Sequence, residues 1–484
     1  MTPTATTHEV RTETASAQNT LRGMRREHEP MFAKYPRNNV TKEMIMQMVE
    51  DYGVQFVDLQ FIDLHGVIKF VTVPVHQLES AIDNNVWFDG SSIKGFSVVN
   101  ESDMALKADL DTFAVLPWTL GSQDVTARLI CDVLNPDGSS YEGDPRAILR
   151  RQVEEAKKLG FASFMGSELE YFLFKLDVNG EPTLEPQDKS GYFGQYNQEG
   201  LSFNRDLAFC LDMMGIEIER MHHEVAVGQS EVNYRFADVL RAADNTASIK
   251  FTIKALAKRH GLHATFMAKP VSGINGSGMH VHQSLSSISD GVNKFYDPAG
   301  TYGLSPLAQS YIAGQLQHVR AMNAVLNPTV NSYKRLVVGY ETPVNVAWGK
   351  RNRSALIRIP HISPALAAKG SRIELRCPDP SSNPYLAFAV MLASGLDGVR
   401  KGLVAPAPVE ENLWEFDEAK MDKMNIQTVT GDLGEALKEF AKDEVIRDAL
   451  GEHTFRQYYD AKFSEWDSFR LNISKWEIDR YLDC

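Results

Sequence analysis

The sequence predicts an α+β protein in which a small sheet domain precedes a larger domain with a curved antiparallel sheet and flanking helices. Three observations lead to this class. Several short segments alternate polar and apolar residues, which is the period of a half-buried strand. Longer segments at 242–260 and 306–326 are predicted to be helices. The hydrophobic content of 43% over 484 residues is ample for a large core and two domains.

The first elements are predicted from composition and turn signals. Residues 1–38 are rich in Thr, Ala and Ser, and we expect a polar, flexible extension without the apolar run of a secretory signal. The segment from Val54 to Val73 is predicted to form a hairpin that turns at "DLHG". A loop rich in Gly and Ser, "FDGSSIKGF", follows at 88–96.

The boundary between the two domains is predicted from the start of a helix. Asp144 can cap this helix and Pro145 can occupy its first turn, so that it runs to about Leu159. We therefore expect a small domain at 39–143 and a large domain at 144–484.

Charge and cysteine usage exclude several classes of protein. The net charge of −13 argues against a general nucleic-acid binder. The four cysteines are far apart and form no CxxC pair, which indicates reduced thiols in a cytoplasmic protein. The apolar segment "YLAFAVMLASGLDGV" is too short to span a membrane and contains Asp397, so it is interpreted as a buried helix. We expect neither a nucleic-acid nor a membrane partner.

Four predicted strands carry charged or imidazole side chains on one face. The sets are Glu168 and Glu170 in "SELEYFLF", Glu231, Asn233 and Arg235 in "EVNYRF", His280, His282 and Ser284 in "GMHVHQS", and Arg372, Glu374 and Arg376 in "SRIELRC". Each strand alone is more often a solvated sheet face. Because all four combine carboxylate, imidazole or guanidinium groups, together they predict a curved sheet whose concave side is a charged site.

The composition of this face indicates its chemistry. Five glutamates, with Glu224 as the fifth, and one or two histidines are oxygen-rich ligands suited to Mg²⁺ or Mn²⁺ rather than zinc. Two such ions could clamp phosphate oxygens in phosphoryl transfer, with nearby arginines binding phosphate or carboxylate. No Walker A, HExxH or GxSxG pattern competes with this interpretation. The residues therefore predict a two-metal, ATP-using enzyme with an anionic substrate.

Seven motifs resemble those of type I glutamine synthetase in order and spacing. They are "FDGSSI", "ELEYF", "HHEVAVGQSE", "NGSGMHVHQS", "NPTVNSYKRLVVGYE", "RNRSALIRIP" and "RIELRCPDPSSNPYLAFA", and the resemblance extends from about residue 40 to 484. The implied fold is a β-grasp-like small domain before the catalytic domain, and the implied reaction joins ammonia to L-glutamate with ATP. Trp414, where the adenylylated branch has tyrosine, places the chain closer to the shorter, non-adenylylated branch.

The resemblance also implies a role for each matching residue. One metal ion would be held by Glu170, Glu224 and Glu231, and the second by Glu168, His280 and Glu374. Glutamate would be bound by Asn275, Gly276, Arg335, Arg353 and Arg376. ATP would contact Glu219, Phe236, His282, Ser284, Arg358, Lys369 and Arg372. The ammonium site would comprise Asp89, Ser92, Tyr192 and Glu224. His222 and His223 are not predicted to be ligands.

The implied mechanism has two steps. Glutamate attacks ATP to form γ-glutamyl phosphate while Arg358 and the metals offset the developing charge, and Asp89 then deprotonates ammonium. Glu341 would shield the intermediate from water. The family's sites lie between subunits of a dodecamer of two stacked six-membered rings, and a regulatory protein partner is left open.

Two alternatives share this fold. A γ-glutamyl ligase for a polyamine or another amine would lack the ammonium site, but Asp89, Ser92 and Tyr192 are all present. A catalytically silent structural or regulatory homologue would lack metal ligands, but all six positions are filled.

Overall fold

The computed structural model of the chain describes residues 34–93, 103–339 and 342–484, apart from the side chain of Ser92. These residues form two β-sheets, one of five and one of ten strands, together with flanking helices. The predicted α+β class is confirmed, although the larger sheet is mixed because one of its strand pairs is parallel.

The smaller sheet has strand order β2-β1-β5-β4-β3, with β1 and β5 parallel and the other neighbours antiparallel. Its strands are β1 (Phe56–Ile62), β2 (Ile68–Pro74), β3 (Val86–Asp89), β4 (Asp103–Val115) and β5 (Thr126–Leu134). The predicted hairpin is therefore β1–β2. Its turn needs Gly66, because the backbone there is left-handed (φ 81°) and a Cβ would lie 2.9 Å from the Cα of Asn383 in the large domain.

Helix α1 (Lys42–Tyr52) covers one face of this sheet, and the short helix α2 (Leu78–Asn84) follows β2. The Thr41 side chain caps α1, and its apolar residues recur at helical spacing. Ile45 and Met48 are buried in one cluster with Val57 and Leu129 of the sheet. The small domain therefore has its own hydrophobic core, which holds β3 and the start of the loop after it.

The larger sheet follows the order β13-β14-β15-β12-β6-β9-β8, and three short strands pair with β6 outside this path. Its strands are β6 (Phe161–Leu176), β7 (Pro182–Pro186), β8 (Ile218–His223), β9 (Gln229–Tyr234), β10 (Ala237–Asp238), β11 (Leu262–Thr265), β12 (Met279–Ser287), β13 (Asn345–Gly349), β14 (Ala355–Arg358) and β15 (Ile373–Leu375). All four predicted strands are present. Arg235, predicted to share the polar face of β9, instead lies beyond its end and pairs with Glu217.

Helices pack on the sheet and on one another. They are α3 (Pro145–Lys158), α4 (Gln198–Met213), α5 (Val239–Arg259), α6 (Pro306–Leu326), α7 (Ala367–Gly370), α8 (Pro384–Lys401), α9 (Glu418–Lys423), α10 (Leu433–Phe440), α11 (Glu444–Leu450), α12 (Glu452–Arg470) and α13 (Lys475–Tyr481). The apolar segment interpreted as a buried helix is α8. It lies so close to α6 that a Cβ at Gly314 would be 2.2 Å from the carbonyl oxygen of Ser394.

The start of α3 is as predicted: the Asp144 carboxylate caps it, accepting from the backbone N–H of Arg146 at 3.0 Å, and Pro145 is its first residue. Among the described residues, no helix is long and apolar enough to cross a membrane. None of the four cysteines, all within the described residues, forms a disulfide bond. The cytoplasmic location stays a prediction.

A buried guanidinium joins the small sheet to the helices of the large domain. Arg146 donates to Asp132 of β5 at 2.6 Å, to Asp109 of β4 at 2.7 Å and to Asp244 of α5 at 3.0 Å. Tyr385 of α8 donates to the same Asp244 at 2.7 Å. These hydrogen bonds of the buried Arg146 therefore fix the position of the small domain relative to the large domain.

Candidate active site

The site originates in the register of the large sheet. Glu231 of β9 lies opposite His222 of β8 on one side and opposite Glu170 of β6 on the other. Directly opposed residues project from the same face of a sheet. The register therefore places side chains of three neighbouring strands, β6, β9 and β8, in one row.

A second row runs parallel to the first, two residues further along the strands. Glu168 of β6 lies opposite Asn233 of β9 and opposite His280 of β12, and Asn233 lies opposite Arg220 of β8. Glu374 of β15 joins from the far side of β12. The alternation visible in the sequence becomes a continuous charged face in this way.

The first carboxylate cluster contains Glu224, Glu231 and His222, whose ligand atoms lie within 4.8 Å of one another. Glu224 is in the turn between β8 and β9, which the Glu224 backbone N–H closes by donating to the Gln229 carbonyl at 2.9 Å. The Glu170 carboxylate, beside this cluster, accepts from Gln229 Nε2 at 2.9 Å and from the Gly278 backbone N–H at 2.8 Å. Glu224 of the turn and Glu231 of the strand thus lie close together.

Burial and mutual repulsion perturb these carboxylates. Burial, together with repulsion from the neighbouring Glu231, raises the pKa of Glu224 to about 7. Burial likewise raises the pKa of Glu170, with repulsion from Glu224 and Glu231 acting in the same direction. For His222, burial lowers the pKa, but the hydrogen bonds with Glu231 and the His223 backbone and the charges of Glu231 and Glu224 together outweigh it, so the pKa is raised. This group of carboxylates therefore attracts positive charge.

The second carboxylate cluster contains Glu168, His280 and Glu374, again with ligand atoms within 4.8 Å of one another. Burial alone would raise the pKa of Glu168, but hydrogen bonds from His280 and His282 lower it. Glu374 is fully buried, and its pKa is lowered because the nearby histidines and arginines outweigh the effect of burial. Both carboxylates are therefore ionised.

The two clusters line one cavity of about 330 Å³. It contains all six predicted metal ligands and all five predicted glutamate-binding residues, together with Tyr192 and Arg358. Arg335 and Arg376 are almost fully buried, whereas Arg353 is exposed at the rim. Arg358 Nη2 lies 2.6 Å from Glu374 Oε2. The cavity is therefore lined by both carboxylate and guanidinium groups.

An adjoining cavity of about 720 Å³ contains six of the seven residues predicted to contact ATP. These six are Glu219, Phe236, His282, Ser284, Lys369 and Arg372. Phe236 is half-exposed and meets Phe164 edge to face, with ring centroids 6.0 Å apart. Arg358, the seventh, lines the smaller cavity instead. Among the described residues, Glu168 and Arg220 alone line both cavities.

The structure does not bring Asp89 to this site. Asp89 is exposed at the end of β3, where its carboxylate accepts from the Ser91 backbone N–H at 2.9 Å and from Ser91 Oγ at 2.6 Å. It is not among the residues that line either cavity. Hydrogen bonds from Ser91 lower the pKa of Asp89. The Ser92 side chain and Glu341 lie outside the described residues.

Sequence reasoning missed Arg220 and Asn233 as site residues and set His222 aside. Arg220 and His222 alternate along β8, so the strand period could have assigned both to the polar face. Asn233 was seen on the polar face of β9 but given no role. Its buried Oδ1 accepts no hydrogen bond in the described part of the chain.

Comparison with known proteins identifies relatives over nearly the whole chain. Two family models match, "Glutamine synthetase, beta-Grasp domain" at residues 53–136 and "Glutamine synthetase, catalytic domain" at 142–481. Glutamine synthetase of Clostridium saccharobutylicum is 48% identical over 444 residues, covering 92% of this chain and 99% of the relative. The Thermus thermophilus glutamine synthetase is 49% identical over 446 residues, covering 91% and 99%. A solved GmaS/ADP complex superimposes with a TM-score of 0.80 at 29% identity, covering 90% and 99%.

Proposed function

Because the chain belongs to the glutamine synthetase family and is an ATP-dependent glutamate–ammonia ligase, we propose that the smaller cavity is its catalytic centre and the larger its nucleotide site. The observation that carries this proposal is that all the predicted metal and glutamate residues line one cavity, next to a second lined by most of the predicted ATP residues. The relative GmaS has been solved with ADP, which supports a nucleotide site in this fold.

The family depends on a divalent metal, and we assign one Mg²⁺ or Mn²⁺ to the carboxylates of the first cluster together with the adjacent Glu170, and one to the second cluster. Glu170, Glu224 and Glu231 would hold one ion, and Glu168, His280 and Glu374 the other. The donor set fits, since it consists mostly of carboxylate oxygens. The fully buried Oε1 of Glu374 supports this, because it accepts no hydrogen bond from the described residues although Arg376 Nε lies 3.2 Å away. When bound, the ions would supply positive charge against the transferred phosphoryl group.

ATP lies with its base toward Phe236 and its phosphates toward the cationic residues. Aromatic and cationic side chains suit these two parts of a nucleotide. His282, Ser284 and Lys369 lie in the same cavity and are assigned to ATP, as are Glu219 and Arg372. Arg358 faces the smaller cavity, so we assign it to the transferred phosphoryl group.

Glutamate binds at the arginine-lined end of the catalytic centre. Arg335 is held in place by its hydrogen bond to the Cys377 carbonyl at 2.8 Å, and Arg376 by donating to the Arg353 carbonyl. Prepositioned guanidinium groups can pair with the α-carboxylate of the substrate. Asn275 and Gly276 complete this end of the pocket.

The reaction then proceeds in two steps. The side-chain carboxylate of glutamate attacks the γ-phosphorus of ATP, the bond to the bridging oxygen breaks, and γ-glutamyl phosphate and ADP form. Asp89, a carboxylate at neutral pH, takes a proton from ammonium in a site completed by Ser92, Tyr192 and Glu224. The ammonia attacks the acyl carbon and phosphate leaves. Glu341 shields the intermediate from water.

Asp89 reaches the site from a neighbouring subunit in this proposal. The position of Asp89 outside the cavity of its own chain supports this arrangement. We propose a dodecamer of two stacked six-membered rings in the cytoplasm, with the domain boundary at residues 143 and 144 and the extension at 1–38. Exposed apolar side chains at the C-terminus, such as Trp476 and Leu482, suit contacts between the rings.

The test is phosphate release from glutamate and ATP in the presence of ammonium, putrescine or ethylamine. Ammonium is expected to support the highest kcat/KM, with glutamine as the product. Faster turnover with putrescine or ethylamine would assign the chain to an amine ligase. No phosphate release with any acceptor would favour the catalytically silent homologue.

A further inference from the structure

Arg220 is a cation of the site that has no assigned role. It lies on β8 in the same row as Asn233 and Glu168, and its Nη2 is 3.2 Å from Glu168 Oε1. Its side chain is 63% exposed, unlike the buried Arg335 and Arg376. The guanidinium therefore projects into the solvent-accessible space above the row.

The position of Arg220 coincides with the boundary between the two cavities. It lines both of them, and among the described residues it shares this property with Glu168 alone. If ATP occupies the larger cavity and glutamate the smaller, the phosphoryl group crosses this boundary during transfer. Among the described residues, Arg220 is then the cation that lines both cavities, since Glu168 is an anion.

The contacts of Arg220 leave it available to a ligand. Arg335, Arg358 and Arg376 each donate to a carbonyl or carboxylate of the protein. Arg220 has the exposed ion pair with Glu168, and exposed pairs contribute little stability. A cation bound by Glu168 would compete for the same carboxylate. The guanidinium would then be free to bind phosphate oxygens, which its planar fork suits.

We propose that Arg220 is a further substrate-binding residue that donates hydrogen bonds to the terminal phosphates of ATP at the junction of the two cavities. This inference rests on the proposed assignment of the cavities. The proposed role of Arg220 differs from that of residues that bind the base, the ribose or glutamate. Loss of its guanidinium weakens binding of ATP but not of AMP.

The experiment compares Arg220→Gln and Arg220→Lys with Arg235→Gln as a matched control. Arg235 is 59% exposed and pairs with Glu217 in the same way, but it lines neither cavity. Dissociation constants for ATP, ADP and AMP are measured by calorimetry at saturating Mg²⁺, and KM values for ATP and glutamate by glutamine formation. Circular dichroism and the elution volume of each variant are compared with the wild type.

Arg220→Gln is expected to weaken ATP binding about tenfold relative to AMP, without changing the KM for glutamate. Arg220→Lys should fall between Arg220→Gln and the wild type, and Arg235→Gln should match the wild type. An unchanged ratio of ATP to AMP affinity in Arg220→Gln would overturn the inference. A change confined to the KM for glutamate would also overturn it. A lower Mg²⁺ requirement with unchanged ATP affinity would overturn it as well, because Arg220 would then only neutralise Glu168.

The two proposals fail in different ways. A wild-type protein that forms no glutamine would contradict the proposed function. A wild type that forms glutamine, with an Arg220→Gln variant that binds ATP normally, would contradict only the role of Arg220. If Arg220→Gln does not fold, the same ratio measured in Arg220→Lys decides the question.

Discussion

At the scale of single residues, the site gathers carboxylates that would repel one another without a partner charge. Burial raises the pKa of Glu170 and Glu224, whereas histidines and arginines lower the pKa of Glu168 and Glu374. The two clusters are therefore electrostatically different although both are rich in carboxylate. The second is partly balanced by protein cations, and the first depends more on an external cation.

Glu374→Ala tests the assignment of the second ion. Removing a buried ligand should lower Mg²⁺ affinity or kcat at least about a hundredfold, because the remaining donors no longer enclose the ion. Mg²⁺ titrations of nucleotide binding and turnover provide the measurement. Glu217→Gln is the control, since Glu217 is exposed and lies outside both cavities. Turnover near that of the wild type in Glu374→Ala would contradict the assignment.

Asp89→Ala tests the base for ammonium. Hydrogen bonds from Ser91 lower the pKa of Asp89, so in the wild type its carboxylate is available above this lowered pKa and is lost as the pH falls through it. The variant should lose most glutamine synthesis at pH 7 and regain part of it toward pH 9, because free ammonia becomes more abundant.

Asp137→Ala is the matched control for this experiment. Asp137 is exposed and accepts from the Ser139 backbone N–H at 2.9 Å and from its Oγ at 2.5 Å, as Asp89 does from Ser91. Its replacement should leave the pH profile of turnover unchanged. If Asp89→Ala is equally slow from pH 7 to pH 9, Asp89 is not the base.

At the scale of secondary-structure elements, the first turn of α3 connects the two domains. Its cap, Asp144, is fully buried, and the next polar residue, Arg146, joins β4, β5 and α5. Desolvation is costly for these charges, so their hydrogen bonds must be nearly complete. This turn therefore fixes the small sheet relative to the helices of the large domain.

Arg146→Ala should destabilise the fold by about 3–5 kcal/mol, because it leaves buried carboxylates without their partner. Arg150→Ala is the control. Arg150 also pairs with Asp132, but its side chain is 43% exposed, so the change should cost less than about 1 kcal/mol. Denaturant unfolding followed by circular dichroism measures both. Similar losses in the two variants would contradict the importance of the buried network.

Asp144→Asn tests the titration of the buried cap. Burial raises the pKa of Asp144 to about 7, so between its unfolded pKa and pH 7 the folded state binds a proton that the unfolded state does not. The contribution of Asp144 to stability therefore falls as pH rises through this window, by at most about 1.4 kcal/mol per pH unit. Asn keeps the cap without titrating, so the stability of Asp144→Asn relative to the wild type should rise from pH 4 to pH 7.

Asp238→Asn provides the comparison for Asp144→Asn. Asp238 also caps a helix, α5, through the Arg241 backbone N–H at 3.1 Å, but it is exposed. The same thermal unfolding series is recorded for Asp238→Asn, which replaces an exposed cap and no buried carboxyl. A pH profile of Asp144→Asn parallel to that of the wild type would show that Asp144 does not titrate in this range.

At the scale of the whole molecule, a single chain holds nearly all of the proposed site but not its base. Asp89 lies on the small domain, outside both cavities of its own subunit. Exposed apolar residues on the same domain, including Phe70 and Trp87, offer a surface for a neighbouring subunit. The proposed ring arrangement would bring the two halves of each site together.

Mixed oligomers of Asp89→Ala and Glu374→Ala subunits test this arrangement. Each variant alone should be nearly inactive. If sites form between subunits, a co-expressed one-to-one mixture has about one quarter of its sites with both residues intact, and should show about that fraction of wild-type activity. Purification through two different tags isolates the mixed oligomers. Activity no higher than that of either variant would place both residues in sites within one chain.

Local patterns in the sequence determined the strands, the helix starts and the residue types of the site. A strand is predicted from the alternation around Glu168 and Glu170, and a helix start is predicted from the Asp144–Pro145 pair. Both patterns involve only neighbouring residues, so one short segment is enough to predict each element. The resemblance of the motifs to a known family then supplied the reaction, which the comparisons confirm.

Only the tertiary structure decided how these segments meet. The register of β8, β9 and β6 places Arg220, Asn233 and Glu168 in one row, although Arg220 and Glu168 are far apart in sequence. The tertiary structure also places Arg358 in the smaller cavity and Asp89 outside both cavities. Strand register depends on hydrogen bonds and burial between distant segments, so no local pattern specifies which side chains share a cavity.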